Sequence, residues 1–188
     1  MKTVLFIFFL TCTSLTNYSQ TIQFPDDRWK TIDNKKLHLK QKNQLKLFIF
    51  LSPECPLSQK YVFSLNRIYE RYEQQVYFVG IFPGKDYKNK DYAAFKKKYN
   101  IQFNLINDPK MKLVSALKAS KTPEVFLLDS TNSILYQGAI DDWAISLGKN
   151  KLKPTKNYLQ DAISSSTTGS VVYPKFVEAV GCFIENEN

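Results

Sequence analysis

Histidine is all but missing from this chain, and arginine nearly so: His38 is the one histidine, and Arg28, Arg67 and Arg71 are the three arginines, among 188 residues. A lone imidazole leaves no pair of nitrogen ligands, and no second metal-type ligand lies near it. His38 therefore reads as a solvent-facing residue of an alternating strand, and no metal is expected. Arginine's planar fork is what recognises phosphates and base edges, and no recognition motif interleaves the lysines that make up most of the net charge of +9. The charge therefore does not indicate nucleic-acid binding. Its densest run, Lys85 to Lys98, reads as the solvated face of a helix whose inner side carries Tyr92, Phe95 and Tyr99. Internal repeats and heptads are missing as well, which excludes solenoids and coiled coils. The apolar run Val4 to Leu10 is too short to span a bilayer, so an integral membrane protein is not expected.

Met1-Lys2-Thr3, the apolar run and the polar Thr16 to Gln20 instead have the layout of a secretory signal peptide, assigned to residues 1–19, with one domain over 20–188 and a tail over 168–188. No small residue stands just before Cys12, so a lipoprotein anchor is a poor reading. Export to a periplasm or the extracellular space removes Cys12, leaving Cys55 and Cys182 where disulfides persist. An even pair fits one redox couple. The alternatives are a permanent structural bridge and two unrelated buried thiols.

Cys55 follows the run Leu45 to Leu51, apolar but for Lys46, the pattern of a strand buried on both faces, and Pro56 then suits a first helical position. There, free N–H groups and the helix dipole favour a thiolate over a thiol, making Cys55 a candidate nucleophile. Val62, Leu65, Ile68, Tyr69 and Tyr72 mark the core face of a helix over 56–73. A strand over 76–82, the lysine-rich helix, a strand over 103–106, a helix around Met111, Val114 and Leu117, and a hairpin turning at Asp129 to Asn132 follow. A helix over 155–166 comes last. Upstream, Trp29 to Ile32 and Leu37 to Leu39 flank Asn34-Lys35-Lys36 as a short hairpin. The order predicts an α/β fold with a central mixed sheet flanked by helices, an N-terminal hairpin and a C-terminal tail. The connection from Gly138 to Pro154 reads as a long loop, in which Asp141 and Asp142 cap backbone groups.

Four segments resemble the thioredoxin fold, and more closely its peroxiredoxin-like redoxins of the alkyl hydroperoxide reductase/thiol-specific antioxidant type. They are the strand ending in Cys55-Pro56-Leu57-Ser58, Thr122-Pro123 with the run to Asp129, Tyr136 to Asp142, and the terminal Gly181-Cys182-Phe183-Ile184. The resemblance implies that Cys55 is the attacking thiol, and that Pro123 is a cis-proline whose preceding Thr122 faces the sulfur and offers backbone groups to a bound chain. Ser52 and Pro56 support the site. Ser58 stands where thioredoxins carry their second cysteine, so it can hydrogen-bond a thiolate but cannot close a local disulfide. Ser52 fits the peroxiredoxin motif, but Phe48 replaces its proline, and Lys121-Thr122-Pro123 lies where its arginine is sought. These departures weigh against peroxidase activity.

The expected function is an exported thiol–disulfide oxidoreductase in which Cys55 attacks and Cys182 resolves, with no cofactor. Its partners would be a thiol- or disulfide-bearing protein, or a peroxide, and an external reductant. The alternatives are a peroxiredoxin-like thiol peroxidase and a redox-inactive module that holds peptides along Thr122-Pro123. Oligomeric state is not legible.

Overall fold

The structure, a computed structural model, describes residues 21–24, 28–39 and 44–185. The segment assigned as a signal peptide, with Cys12, lies outside them. β1 (Arg28–Lys30) and β2 (Lys36–His38) form the expected antiparallel hairpin, and His38 is exposed on it.

β3 (Leu45–Phe50) lies inside the main sheet, and its alternating side chains explain why its sequence is apolar on both faces from Leu47 onward. Leu47 and Ile49, followed by Leu51, enter one core, whereas Phe48 and Phe50 enter a second core across the sheet. All five are fully buried, each contributing about 1.5–3 kcal/mol of burial free energy. α1 (Pro56–Tyr72) covers the first core with Val62, Leu65, Ile68 and Tyr72. It leads to β4 (Val76–Pro83), parallel to β3, and then to α2 (Asn89–Lys98), which turns Tyr92 and Phe95 inward and its lysines outward. β5 (Asn104–Asp108) adds a third parallel strand, and α3 (Lys112–Leu117) covers the second core.

The chain then reverses the sheet. The two-residue β6 (Lys121–Thr122) precedes β7 (Glu124–Leu128), which pairs antiparallel with β3, and β8 (Ile134–Gly138) pairs antiparallel with β7. The turn between β7 and β8 is held by Asp129, whose carboxylate accepts the amides of Thr131 at 2.8 Å and Ser133 at 2.9 Å. The segment expected to be a long loop holds a small hairpin, β9 (Ala144–Ser146) and β10 (Lys149–Asn150). Both acids beside it accept backbone amides, as the sequence suggested. Asp141 takes the Trp143 N–H at 2.8 Å and the Tyr61 hydroxyl at 2.8 Å; Asp142 takes the N–H groups of Thr155 at 2.7 Å and Lys156 at 2.9 Å. That second clasp holds residues 155 and 156 outside the helix, so α4 (Tyr158–Thr167) begins later than its apolar pattern implies.

The tail returns to the sheet. β11 (Phe176–Val177) pairs parallel with β8, giving the order β11-β8-β7-β3-β4-β5, and β12 (Cys182–Phe183) pairs antiparallel with β6. Gly138 makes the first contact possible, because its φ of +119° is closed to most side chains and a Cβ there would lie 1.7 Å from the Val177 carbonyl oxygen.

Candidate redox site

Cys55 is the N-cap residue of α1, in extended conformation at φ −69° and ψ 116°, with Pro56 at the first helical position. The proline supplies no N–H, so the first turn offers its free amides from Leu57 onward. The sulfur is buried, and as a thiol it donates to the Thr122 carbonyl at 3.0 Å. The Thr122–Pro123 peptide bond is cis.

Burial pushes the Cys55 thiol up, but four donors outweigh it. The Cys182 thiol, the Ser58 amide, the Cys182 amide and the Ser58 hydroxyl all stabilise the thiolate, and the net result lies below the ordinary cysteine value. Ser58 is fully buried, and its Oγ accepts the Ser52 amide at 3.2 Å, which leaves its own proton for the sulfur. Ser52 acts through its backbone, since its carbonyl also accepts the Cys55 amide at 3.2 Å while its hydroxyl lies toward the Tyr87 phenol. The exchange of cysteine for serine at position 58 thus turns a disulfide partner into a hydrogen-bond donor. Removing that donor in Ser58→Ala should raise the Cys55 pKa. The check is the pH dependence of thiolate absorbance in a chain whose Cys182 is serine; an unmoved inflection would show that the hydroxyl does not reach the sulfur.

Cys182 arrives from the other end of the chain. In the β12–β6 register it lies directly opposite Thr122, the residue whose carbonyl holds the Cys55 sulfur. Burial, together with the hydrogen bond and charge of the Cys55 thiolate, pushes the Cys182 thiol up to about 12. Both cysteines are free thiols. The first proton to leave the pair is therefore that of Cys55, while Cys182, the more exposed of the two, keeps its own.

Two residues with no role in the sequence reading build this meeting point. Glu124, buried at the start of β7, accepts the amides of Ser120 at 2.8 Å and Lys121 at 3.2 Å, which holds the chain entering Thr122. A carboxylate opening an otherwise apolar strand, immediately after Pro123, was its visible signal. Gly181 lets the tail approach: a Cβ there would lie 2.4 Å from the Thr122 oxygen and 2.8 Å from its carbon. These are backbone atoms that cannot swing aside. Arg67 and Arg71 are engaged elsewhere, Arg67 with the Ser64 hydroxyl at 3.2 Å and Arg71 over the Tyr72 ring.

A mixed sheet, a cysteine capping the helix after β3 and a facing cis-proline define a thioredoxin-fold redoxin. The AhpC/TSA family model matches residues 20–137, and the chain belongs to that family. The match includes Cys55, Thr122 and Pro123 and ends before the tail that carries Cys182. No curated protein matches the chain by sequence. Among solved structures, an uncharacterized conserved protein from Geobacillus kaustophilus is similar at a TM-score of 0.79 and 19% identity, over 91% of this chain and 94% of that one. A hypothetical protein from Sinorhizobium meliloti is similar at 0.76 and 23%, over 87% and 92%. A secreted disulfide oxidoreductase of Mycobacterium tuberculosis, homologous to E. coli DsbE, is similar at 0.53 and 18%, over 76% and 94%. All three likenesses are likenesses of fold.

Proposed function

We propose that this chain is an exported thiol–disulfide oxidoreductase that works through a Cys55–Cys182 couple. The observation that carries the reading is the β12–β6 register, which sets Cys182 against the residue whose carbonyl holds the Cys55 sulfur. The Cys55 thiolate attacks one sulfur of a substrate disulfide, forming a mixed disulfide and expelling the other sulfur as a thiolate. Cys182 then loses its proton and attacks the Cys55 sulfur, closing the intramolecular bridge and releasing the second substrate thiolate. An external thiol reductant returns the pair to the starting state. Export is supported by the N-terminal sequence pattern, and among the described residues no helix is long and apolar enough to cross a membrane.

A second reading has its own observation: the Cys55 sulfur is buried, which favours a small oxidant. With a peroxide, the thiolate takes one oxygen to become a sulfenic acid and an alcohol or water leaves; Cys182 then displaces water to form the same bridge. Neither route needs a metal or an organic cofactor.

Intact mass spectrometry of the exported protein tests both readings. A stoichiometric amount of a small disulfide, or of hydrogen peroxide, should remove two hydrogens and leave no alkylatable cysteine. The oxidant that does so faster identifies the route. Persistence of two free thiols with either oxidant would remove the redox reading and leave the peptide-holding alternative.

A further inference from the structure

The edge of β6 is the backbone that the redoxin reading reserves for a bound chain, and here it is filled by the protein itself. β12 lies antiparallel along it with Cys182 opposite Thr122 and Phe183 opposite Lys121, and the Ile184 amide donates to the Ser120 carbonyl at 2.9 Å. Lys121 grips the same segment twice, through an ion pair of 2.7 Å to Glu178 and with its ammonium 5.5 Å from the centre of the Phe183 ring. Gly181 fits because there is no room for a side chain between it and the Thr122 carbonyl. Together these contacts amount to a recognition pattern: an acidic residue, two spacers, a glycine, the reacting cysteine and an aromatic residue.

We propose that the tail is an internal copy of the site's ligand, and that the external substrate is an extended peptide segment with glycine immediately before its disulfide-bonded cysteine, which pairs with β6 when residues 180–184 lift away. This deepens the thiol–disulfide reading and rests on it. Main-chain pairing supplies affinity, and the Gly181 position supplies selectivity, because any larger residue there collides with backbone. The docked tail competes with such a chain, and a closed Cys55–Cys182 bridge excludes it.

The test uses the full chain in two forms, Cys182→Ser with the tail docked and Gly181→Val/Cys182→Ser with the tail kept off β6. The probe is a synthetic peptide of the tail sequence Glu-Ala-Val-Gly-Cys-Phe-Ile-Glu, its cysteine activated as a thiopyridyl disulfide. Cys55 attack forms the protein–peptide disulfide and expels pyridinethiolate, which is followed by absorbance. The released-tail chain should react about tenfold faster than the docked one, and a peptide with valine in place of glycine should react about tenfold more slowly than its parent. Equal rates for the two chains, or for the two peptides, would overturn the inference. Dipyridyl disulfide, which makes no main-chain pairing, separates the two levels. If it labels Cys55 readily while the peptides go undiscriminated, only this inference falls; if it too reacts no faster than with free cysteine, the thiol–disulfide reading falls and takes the inference with it. Should Gly181→Val fail to fold, Ile184→Pro, which removes the amide donated to Ser120, releases the tail in its place.

Discussion

Replacing Cys55 by serine should end turnover in any dithiol–disulfide assay, a loss on the order of a thousandfold or more, because the hydroxyl at that position cannot serve as the attacking or leaving sulfur. Cys182→Ala should fail differently. The first attack still occurs, but the product stalls as a mixed disulfide or a sulfenic acid, and multiple turnover drops by about two orders of magnitude while a single oxidation equivalent is still consumed. The alanine also removes the largest of the contributions that lower the Cys55 pKa, so the inflection in its reaction with a small disulfide moves to higher pH, whereas Cys182→Ser retains a hydroxyl donor and moves it less. The sign follows from the reacting species. Cys55 attacks as the thiolate, so raising its pKa lowers the rate at neutral pH. Mass spectrometry of the trapped species together with rate–pH profiles for the two variants checks this. Identical behaviour of Cys182→Ala and the unaltered chain would mean that the tail cysteine takes no part.

Gly138→Val should destabilise the fold by about 3 kcal/mol and loosen the tail with it. Two penalties combine at this position: a φ of +119°, and a Cβ directed into the Val177 carbonyl. Relief requires β11 to leave β8, which breaks the bonds from the Ala139 amide to the Val177 carbonyl and from the Gln137 amide to the Lys175 carbonyl, both 2.9 Å. Urea denaturation followed by circular dichroism measures the loss, and the rate of closing the Cys55–Cys182 bridge measures the loosening. A variant of unchanged stability and bridge rate would show that the tail is anchored by β12 alone.

How much of this was visible in the amino-acid sequence follows from the range of the interactions. The strand that ends before Cys55 was legible because burial on both faces demands consecutive apolar residues, as from Leu47 to Leu51, and α1 because its core stripe repeats within one helix. Pro56 marked the boundary between them by its missing N–H. The mixed sheet could be inferred from the order of elements, and the family pattern supplied the pairing of Cys55 with Thr122 and Pro123. The small hairpin of β9 and β10 was hidden because its anchor, Asp142, acts on Thr155 and Lys156 beyond the far side of the loop. The placement of β12 was hidden for a similar reason. A two-residue strand has no periodicity to detect, and the need for Gly181 exists only against Thr122, which is remote in sequence. Ser52 shows the limit of motif reading: its position matched the pattern, but its backbone supports the site while its hydroxyl faces Tyr87.

The coupling of the two sulfurs also governs proton inventory. Cys55 is ionised below the ordinary cysteine range and Cys182 holds its proton up to about 12, so over the interval between them the reduced pair retains a single proton. Reduction of the bridge then consumes two electrons and one proton, and the midpoint potential falls by about 30 mV for each unit rise in pH, half the slope of a couple that takes up two protons. A couple of this kind changes its oxidising strength less when the surrounding pH swings.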